Sequence, residues 1–271
     1  MSMRHFCLSL LVLVLTLAGC TQSRRAEAQG PSQLRVLTYN IHIGIGTDDR
    51  LDLPRIAQVI RQCNPDVVAV QELDNRTTRT QSIDEPAELA KLTGMRVQFG
   101  KTIDLKGGQY GIGILSRWPI SQPELHPLPQ VGQREPRVAL AATITPDNGI
   151  APFLFICTHL DHAADEQNSL PQVRVIDDLF ANRDTRAILA GDLNKSPNTQ
   201  TIRQLCQSWT NATAGGDHFT IPATQPTHQI DYILYRPTTQ WRVVEAKVIG
   251  EPMASDHRPV LVVLEPIRQS R

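Results

Sequence analysis

The 271-residue chain has no net charge: 27 lysines and arginines stand against 27 aspartates and glutamates. Gripping long nucleic acid rests on neutralising many phosphates, so this balance excludes a broad basic face while leaving room for a local anionic site. Lysine is scarce, limited to Lys91, Lys101, Lys106, Lys195 and Lys247; the remaining positive charge is arginine, whose planar fork suits phosphate oxygens. Aromatic residues make up only 5% of the chain, and no strip of them interleaves with Lys or Arg, so no stacking platform for single strands is expected. Cysteine is sparse as well. Beyond the N-terminal segment only Cys63, Cys157 and Cys206 remain, with no CxxC or zinc spacing. Buried free thiols are expected, a Cys63–Cys206 disulfide being the alternative. Past residue 20 no apolar stretch is long enough to span a membrane. The composition is not that of a collagen-like, low-complexity or disordered chain, and the length is ample for one large domain with a sizeable core.

The first twenty residues read MSMRHFCLSLLVLVLTLAGC. Arg4 supplies a short positive region, Phe6–Ala18 is an apolar run, and small residues close it, as in an export signal. Leu17-Ala18-Gly19-Cys20 resembles a bacterial lipobox. The resemblance implies a signal peptide over 1–19, cleavage before Cys20, acylation of its thiol, and a flexible tether over 20–33. The expected location is the cell envelope, lipid-anchored through Cys20 and facing the periplasm or exterior. An ordinary secretory signal with a chance cysteine is the alternative. Removing 1–19 takes away one basic residue, Arg4, and no acid, leaving a net charge of −1. Residues 21–33 (TQSRRAEAQGPSQ) are polar and contain Gly30-Pro31, a composition suited to a tether.

Residues 34–266 read as one α/β domain, followed by a tail over 267–271. Leu34–Ile43 alternates as a strand, with Val36, Thr38, Asn40 and His42 on one face. Leu53–Gln62 has helical spacing and ends before Asn64-Pro65. Asp66–Glu72 is a nearly continuous apolar strand, buried on both faces. Further helices are expected at Pro86–Leu92, Pro171–Phe180 and Thr199–Trp209. Strands are expected near Gly113–Leu115, Val138–Ile144, Phe153–His159, Ala187–Asn194, Ile230–Tyr235, Trp241–Val248 and Pro259–Leu264. Strands that both alternate with helices and follow one another directly suggest mixed sheets covered by helices.

The polar residues fall at strand ends. Asn40, Glu72, His159, Asp192 and Asn194 lie at or just beyond the C-terminal ends of apolar strands, whereas Asp231 and Asp256-His257 lie at N-terminal ends. If the last strands run antiparallel to the first, all meet on one rim. Buried without partners these groups would cost several kcal/mol in total; clustered, they satisfy one another and can hold a cation. The oxygen set Asn40, Glu72 and Asp256 suits a hard divalent ion, Mg²⁺ or Mn²⁺, and the chemistry suggested is metal-assisted phosphoester hydrolysis. Asp192 and Asn194, two apart on the expected strand, would share a face: the carboxylate could orient water and the amide hold a phosphoryl oxygen. His257 is a candidate acid/base or phosphate contact whose tautomer a carboxylate such as Asp231 would set, and His159 a second phosphate donor.

The segments LTYNIHIG, VVAVQELD, GIGILSRWPI, CTHLDH, ILAGDLN, IDYIL and SDHRPVLVVL occur in the order seen in the endonuclease/exonuclease/phosphatase superfamily, across about residues 34–265. By this resemblance the chain is similar to pancreatic-type DNases, AP endonucleases, bacterial sphingomyelinases and inositol-polyphosphate 5-phosphatases. It implies a four-layer α/β/β/α sandwich with two packed mixed β-sheets. Carried over by motif, Glu72 resembles the principal metal ligand, with Asn40 beside metal and phosphate and Asp256 a further ligand. His159 resembles the phosphate-contacting histidine, Asp192 the water-activating carboxylate, and Asn194 its phosphate-binding neighbour. Asp231 resembles the carboxylate that orients the final histidine, His257. Arg137 stands where several members carry a basic phosphate contact. One position departs: many relatives have Asn where this chain has Ile112.

Blander readings apply elsewhere. His42 reads equally as supporting or structural, and Asp161 and His162 as loop residues. Arg76 and Arg79 follow Glu72 and could meet an extra phosphate or head group, although such loops are more often solvated. Cys157 shares a strand face with His159, but a core thiol fits better than an activated thiolate. Trp118, Trp209 and Trp241 read as packing residues. The expected protein is a monomeric hydrolase of small or lipid-linked phosphoesters with no stable nucleic-acid partner. A secreted nuclease and a non-catalytic binding lipoprotein on the same scaffold are the alternatives.

Overall fold

The computed structural model describes residues 32–267 except 182 and 184. The expected signal, Cys20, most of the tether and the tail beyond 267 lie outside the described residues. In chain order the strands and α-helices are β1 (Leu34–Asn40), α1 (Leu53–Cys63), β2 (Val67–Asn75), α2 (Glu85–Thr93), β3 (Arg96–Leu105), β4 (Gly108–Ser116), β5 (Ile120–Pro127), β6 (Val138–Ile144), β7 (Phe153–His159), α3 (Ser169–Phe180), β8 (Ala187–Asp192), α4 (Gln200–Ser208), β9 (Thr210–Asn211), β10 (Asp231–Arg236), β11 (Trp241–Val248) and β12 (Val260–Pro266).

Local chemistry sets the helix ends. The Asp52 carboxylate accepts from Arg55 N–H at the start of α1, Pro54 sits in the first turn, and Asn64 ends the helix in the left-handed region. Helix α2 repeats the pattern with Asp84, Pro86 and a left-handed Gly94. Thr199 caps α4.

The strands form two six-stranded sheets, ordered β11-β12-β1-β2-β4-β3 and β5-β6-β7-β8-β10-β9. Each has one parallel pair near its centre, β1 with β2 and β7 with β8. The remaining pairings are antiparallel, including β12 on β1 and β10 on β8. The sheets pack face to face over a core that includes Val36, Ala69, Ile114, Leu140, Phe155, Ile188 and Ile233. Helices α1 and α2 cover the outer face of the first sheet through Ile56, Ile60 and Leu89. Helices α3 and α4 cover the second through Val173, Ile176, Phe180, Ile202 and Leu205. The architecture is the expected α/β/β/α sandwich.

Three strands, β3, β5 and the two-residue β9, have no counterpart in the sequence pattern. β3 and β5 are sheet edges, and their residues are mostly exposed or half-buried. An edge strand is not obliged to be apolar, and the edge position also admits Pro123 in β5. Two expected strands are shorter. β1 ends at Asn40 because the chain turns there, with His42 and Ile43 at φ +48°. β8 ends at Asp192, so Asn194 lies beyond the strand at φ +52° rather than on its face. Cys63 and Cys157 are buried free thiols, as expected; Cys206 is also free but exposed, and no Cys63–Cys206 disulfide forms. The three tryptophans are buried.

Candidate active site

Strand alternation delivers most of the rim. On β1, Val36 faces the space between the sheets, and Thr38 and Asn40 share its parity. On β7, Phe155 and Cys157 point into that space and His159 continues the face. On β8 the face runs Ile188, Ala190, Asp192, and on β10 it runs from Tyr235 and Ile233 back to Asp231. Because β10 is antiparallel to β8, Asp231 stands opposite Asp192 in register, and His159 is likewise beside Asp192 across the parallel pair. Gly191 permits that closeness: a Cβ there would lie 2.0 Å from the Thr158 carbonyl oxygen.

Glu72 arrives differently. On β2, Val67 and Ala69 face the inter-sheet core, so Gln71 shares that face and Glu72 in a regular strand would point toward the helices. Instead, Gln71 and Glu72 together oppose the single residue Ile112: Val70 pairs with Gly113, and Leu73 with Gly111. This bulge puts Glu72 at φ +58°, a conformation a glutamate adopts only when its surroundings force it, and swings the side chain to the rim. Ile112 is buried in the inter-sheet core across from the bulge, so the departure from the family pattern falls in packing.

Hydrogen bonds join the two sheets at this rim. Asn40 Nδ2 donates to Glu72 Oε1 and to Asp192 Oδ2, both at 3.0 Å, while its Oδ1 accepts from His42 N–H at 3.1 Å. That set of partners fixes the amide orientation: Asn40 braces the two carboxylates and its oxygen is already engaged. Among the described residues no hydrogen bond reaches Glu72 Oε2. The His257 ring meets Asp231 Oδ2 through Nδ1 at 2.9 Å, and its Nε2 lies 3.8 Å from Asp192 Oδ2. His159 Nε2 lies 3.5 Å from the same oxygen, and its buried Nδ1 has no partner. Asn194 N–H donates to Asp192 Oδ1 (2.8 Å), and its Nδ2 donates to the Leu160 carbonyl (3.1 Å). The ligand atoms of Asp192, Asp231 and His257 all lie within 4.8 Å of one another.

Burial and charge work against each other here. Burial pushes the Asp192 carboxyl up, helped by the Asp231 charge and opposed by His257 and Asn40. Burial disfavours the His257 cation, yet the Asp231 and Asp192 carboxylates outweigh it and hold the imidazole up at about 10. His159 moves the other way: burial, then the Arg137 and His257 charges, push it well below the usual histidine range. The rim therefore holds one cationic and one neutral imidazole around one carboxylate.

The remaining candidates are placed as follows. Asp256 is half-buried, and its Oδ1 accepts from the Ser255 hydroxyl (3.3 Å). Arg137 is buried, pairs with Glu135 at 3.0 Å, and has a buried Nε without a partner. Arg76 is not brought to the rim contacts: it is exposed, pairs with Asp84 at 3.3 Å, and lines a surface pocket with Asp84 and Asp104. Arg79 forks onto buried Asp74 (2.7 and 2.8 Å), bracing the segment behind Glu72. His162 is exposed, and Cys157 is a core thiol that burial pushes up to about 12. Sequence reasoning passed over Ser255, whose hydroxyl donates to the Asn40 carbonyl at 2.8 Å; its place in the SDH motif was the available signal.

Comparisons with known proteins bear on the family and the fold. A family model described as the Endonuclease/Exonuclease/phosphatase family matches residues 37–257. Among solved structures, an endonuclease/exonuclease/phosphatase from Beutenbergia cavernae DSM 12333 is 25% identical, with a TM-score of 0.72 over 86% of this chain and 72% of that one. A mannosyl-6-phosphatase from Bacteroides thetaiotaomicron VPI-5482 shares the fold at 18% identity and TM-score 0.71, over 85% and 99% of the two chains. So does the human Nocturnin catalytic domain, at 18% identity and TM-score 0.68, over 87% and 95%. No curated protein matches the sequence. The chain belongs to the Endonuclease/Exonuclease/phosphatase family, whose members hydrolyse phosphoester bonds.

Proposed function

We propose that this protein is a divalent-cation-dependent phosphoester hydrolase of the cell envelope, held to the membrane through a lipid on Cys20 and working as a monomer on small phosphoesters. The observation that carries the reaction class is the convergence of Asn40, Glu72, Asp192 and His257 on one rim, joined across the two sheets by 3.0 Å and 2.9 Å hydrogen bonds.

The donor set fits a hard cation. Glu72, Asp192 and Asp256 bring carboxylate oxygens and Asp231 adds a fourth acid, an excess of negative charge that a divalent ion would relieve. Glu72 Oε2 and Asp256 are the groups that would hold Mg²⁺ or Mn²⁺, with Asn40 holding Glu72 in place. When bound, such an ion neutralises phosphoryl oxygens and the leaving oxygen.

The chain's own residues do the rest. Asp192, aimed by Asn40 and by Asn194 N–H, positions the attacking water and receives its proton. His257, cationic and fixed through Nδ1 by Asp231, offers Nε2–H to the charge that develops on the phosphoryl group. His159 is kept neutral and offers Nε2, while buried Arg137 has a free Nε for the substrate phosphate. Asn194 Nδ2 spends one N–H on the Leu160 carbonyl, which leaves its second N–H for the substrate phosphate.

The fold bears on the substrate. β1 opens at Leu34 and reaches the rim only at Asn40, about 20 Å later at ~3.3 Å per residue. Ser32 donates to the Asn148 carbonyl in the β6–β7 loop, at that same far end. The chain therefore enters the domain at the end opposite the rim, which leaves the rim open to esters that diffuse to it.

Calorimetric titration with Mg²⁺ and Mn²⁺, together with a panel of aryl phosphates, sugar phosphates, phospholipids and plasmid DNA, tests the reading. The expected result is cation binding that Glu72→Ala removes. Hydrolysis should be lost in Glu72→Ala, in His257→Ala and under chelator, with the circular dichroism spectrum unchanged. Wild-type turnover in both variants under chelator overturns it. Salt-sensitive DNA cleavage would make the enzyme a nuclease, and absence of cation binding would favour a binding scaffold.

A further inference from the structure

We infer that Lys195 is a positioning residue for the reaction, a clamp that ties together the loops presenting His159, Asp192 and Asp231; the catalytic part of this inference rests on the hydrolase reading above. Lys195 is 3% exposed. Its Nζ donates to the carbonyl oxygens of Asp161 (3.0 Å), Ala163 (2.7 Å) and Asn194 (3.2 Å). An ammonium has three N–H donors, so this set can use all of them. Among the described residues no carboxylate lies within ion-pairing distance of Nζ.

That arrangement is costly. A buried ammonium whose direct partners are neutral carbonyls loses hydration with only distant support from the Asp161, Glu166, Asp165 and Asp192 charges, so burial still pushes it below the usual lysine range. The three carbonyls show what the charge achieves. Asp161 and Ala163 follow His159 at the end of β7, and Asn194 follows Asp192 at the end of β8. The main-chain oxygen of Lys195 in turn accepts from the Tyr232 hydroxyl at 2.7 Å, and Tyr232 adjoins Asp231 on β10. One residue thus bonds to the chain beside all three site-bearing strands of the second sheet.

The route to the chemistry runs through Asn194. This residue sits at φ +52°. From there its N–H reaches Asp192 Oδ1 and its amide reaches Leu160. Lys195 holds the Asn194 carbonyl and so holds that conformation, and Asn194 aims the carboxylate. Loss of the ammonium frees Asn194 to relax and lets Asp192 turn away from the attacking water. Cation binding, which rests on Glu72 and Asp256 of the other sheet, should persist.

The test is a double-mutant cycle on an aryl phosphodiester, bis(p-nitrophenyl) phosphate, with wild type, Lys195→Met, Asp192→Asn and the double variant. Lys195→Met should lower kcat at least tenfold and by a larger factor than it raises KM, and the double variant should be no slower than Asp192→Asn alone. Additive losses, or a change confined to KM, overturn the positioning role. Hydrogen exchange reads the clamp without turnover: peptides covering 160–163 and 192–195 should exchange faster in Lys195→Met while β1 and β2 do not. Unchanged exchange in those two loops also overturns it. If Lys195→Met does not fold, Tyr232→Phe releases one arm of the clamp and should give the same pattern at smaller size. A wild type that hydrolyses no ester defeats the hydrolase reading, and the exchange measurement still decides the clamp.

Discussion

The two halves of the rim reach it by opposite means. The second sheet supplies His159, Asp192 and Asp231 by continuing the regular alternation of β7, β8 and β10, so each side chain follows the face its strand already presents to the core. The first sheet supplies Asn40 by the same alternation but Glu72 by breaking it, with two residues set against Ile112 and a glutamate at φ +58°. The regular half is deeply buried, and burial moves its groups in opposite directions, the Asp192 carboxyl up and the His159 imidazole down. The broken half leaves Glu72 partly exposed, with one carboxylate oxygen braced by Asn40 and the other open. A cation can reach such a group from solvent.

The comparison breaks most readily at the bond between the halves. Replacing His257 with Ala, or Asp231 with Asn, should each lower kcat roughly 100- to 10,000-fold, and the double variant should lose little more, because the pair acts as a unit. Additive losses in steady-state kinetics would separate the two residues. Next comes Asn40→Ala, which removes the donor shared by Glu72 and Asp192. Cation affinity and kcat should each fall roughly 10- to 100-fold, as when partners of metal ligands are removed elsewhere. Calorimetry and turnover check it, and loss of kcat with unchanged cation affinity would confine Asn40 to the Asp192 side.

Gly191→Ala tests the regular half through packing alone. The added methyl would meet the Thr158 backbone in a paired, buried strand, and a cost of about 1–3 kcal/mol is expected in urea unfolding. The smallest effect belongs behind the bulge. Glu85 is fully buried, and burial pushes its carboxyl up to about 8, against a pull from Asp74 N–H that donates to Oε2. Its folded-state pKa is above its unfolded one, so the folded chain binds the extra proton and loses stability as pH rises from about 4.5 to about 8. Glu85→Gln should match wild type in thermal unfolding near pH 4 and exceed it near pH 8. Equal curves at both pH values would mean that Glu85 ionises freely.

How much of this was legible in the sequence follows the same division. Asp192, Asp231 and His159 were readable because a strand's face repeats every two residues, and an apolar run that ends in a polar residue of the same parity announces what its end presents. Helix starts were readable from Asp52-Leu53-Pro54 and Asp84-Glu85-Pro86, where cap and proline act locally. The edge strands β3 and β5 were not, since burial that marks a strand is what an edge lacks. Nor was the turn after Asn40, which takes His42 off the Asn40 face, or the left-handed Asn194, which aims Asp192 from beyond its strand.

The sequence by itself determined which strands end in polar residues at one rim, because periodicity and capping are local. Only the tertiary structure decided that Glu72 faces the rim, that Asn40 braces two carboxylates with its nitrogen, and that Lys195 spends its charge on three carbonyls. Each depends on a bulge, a hydrogen-bond partner or a buried neighbour supplied by a distant part of the chain. No local pattern encodes these contacts, because their energy exists only once the two sheets have closed on one another.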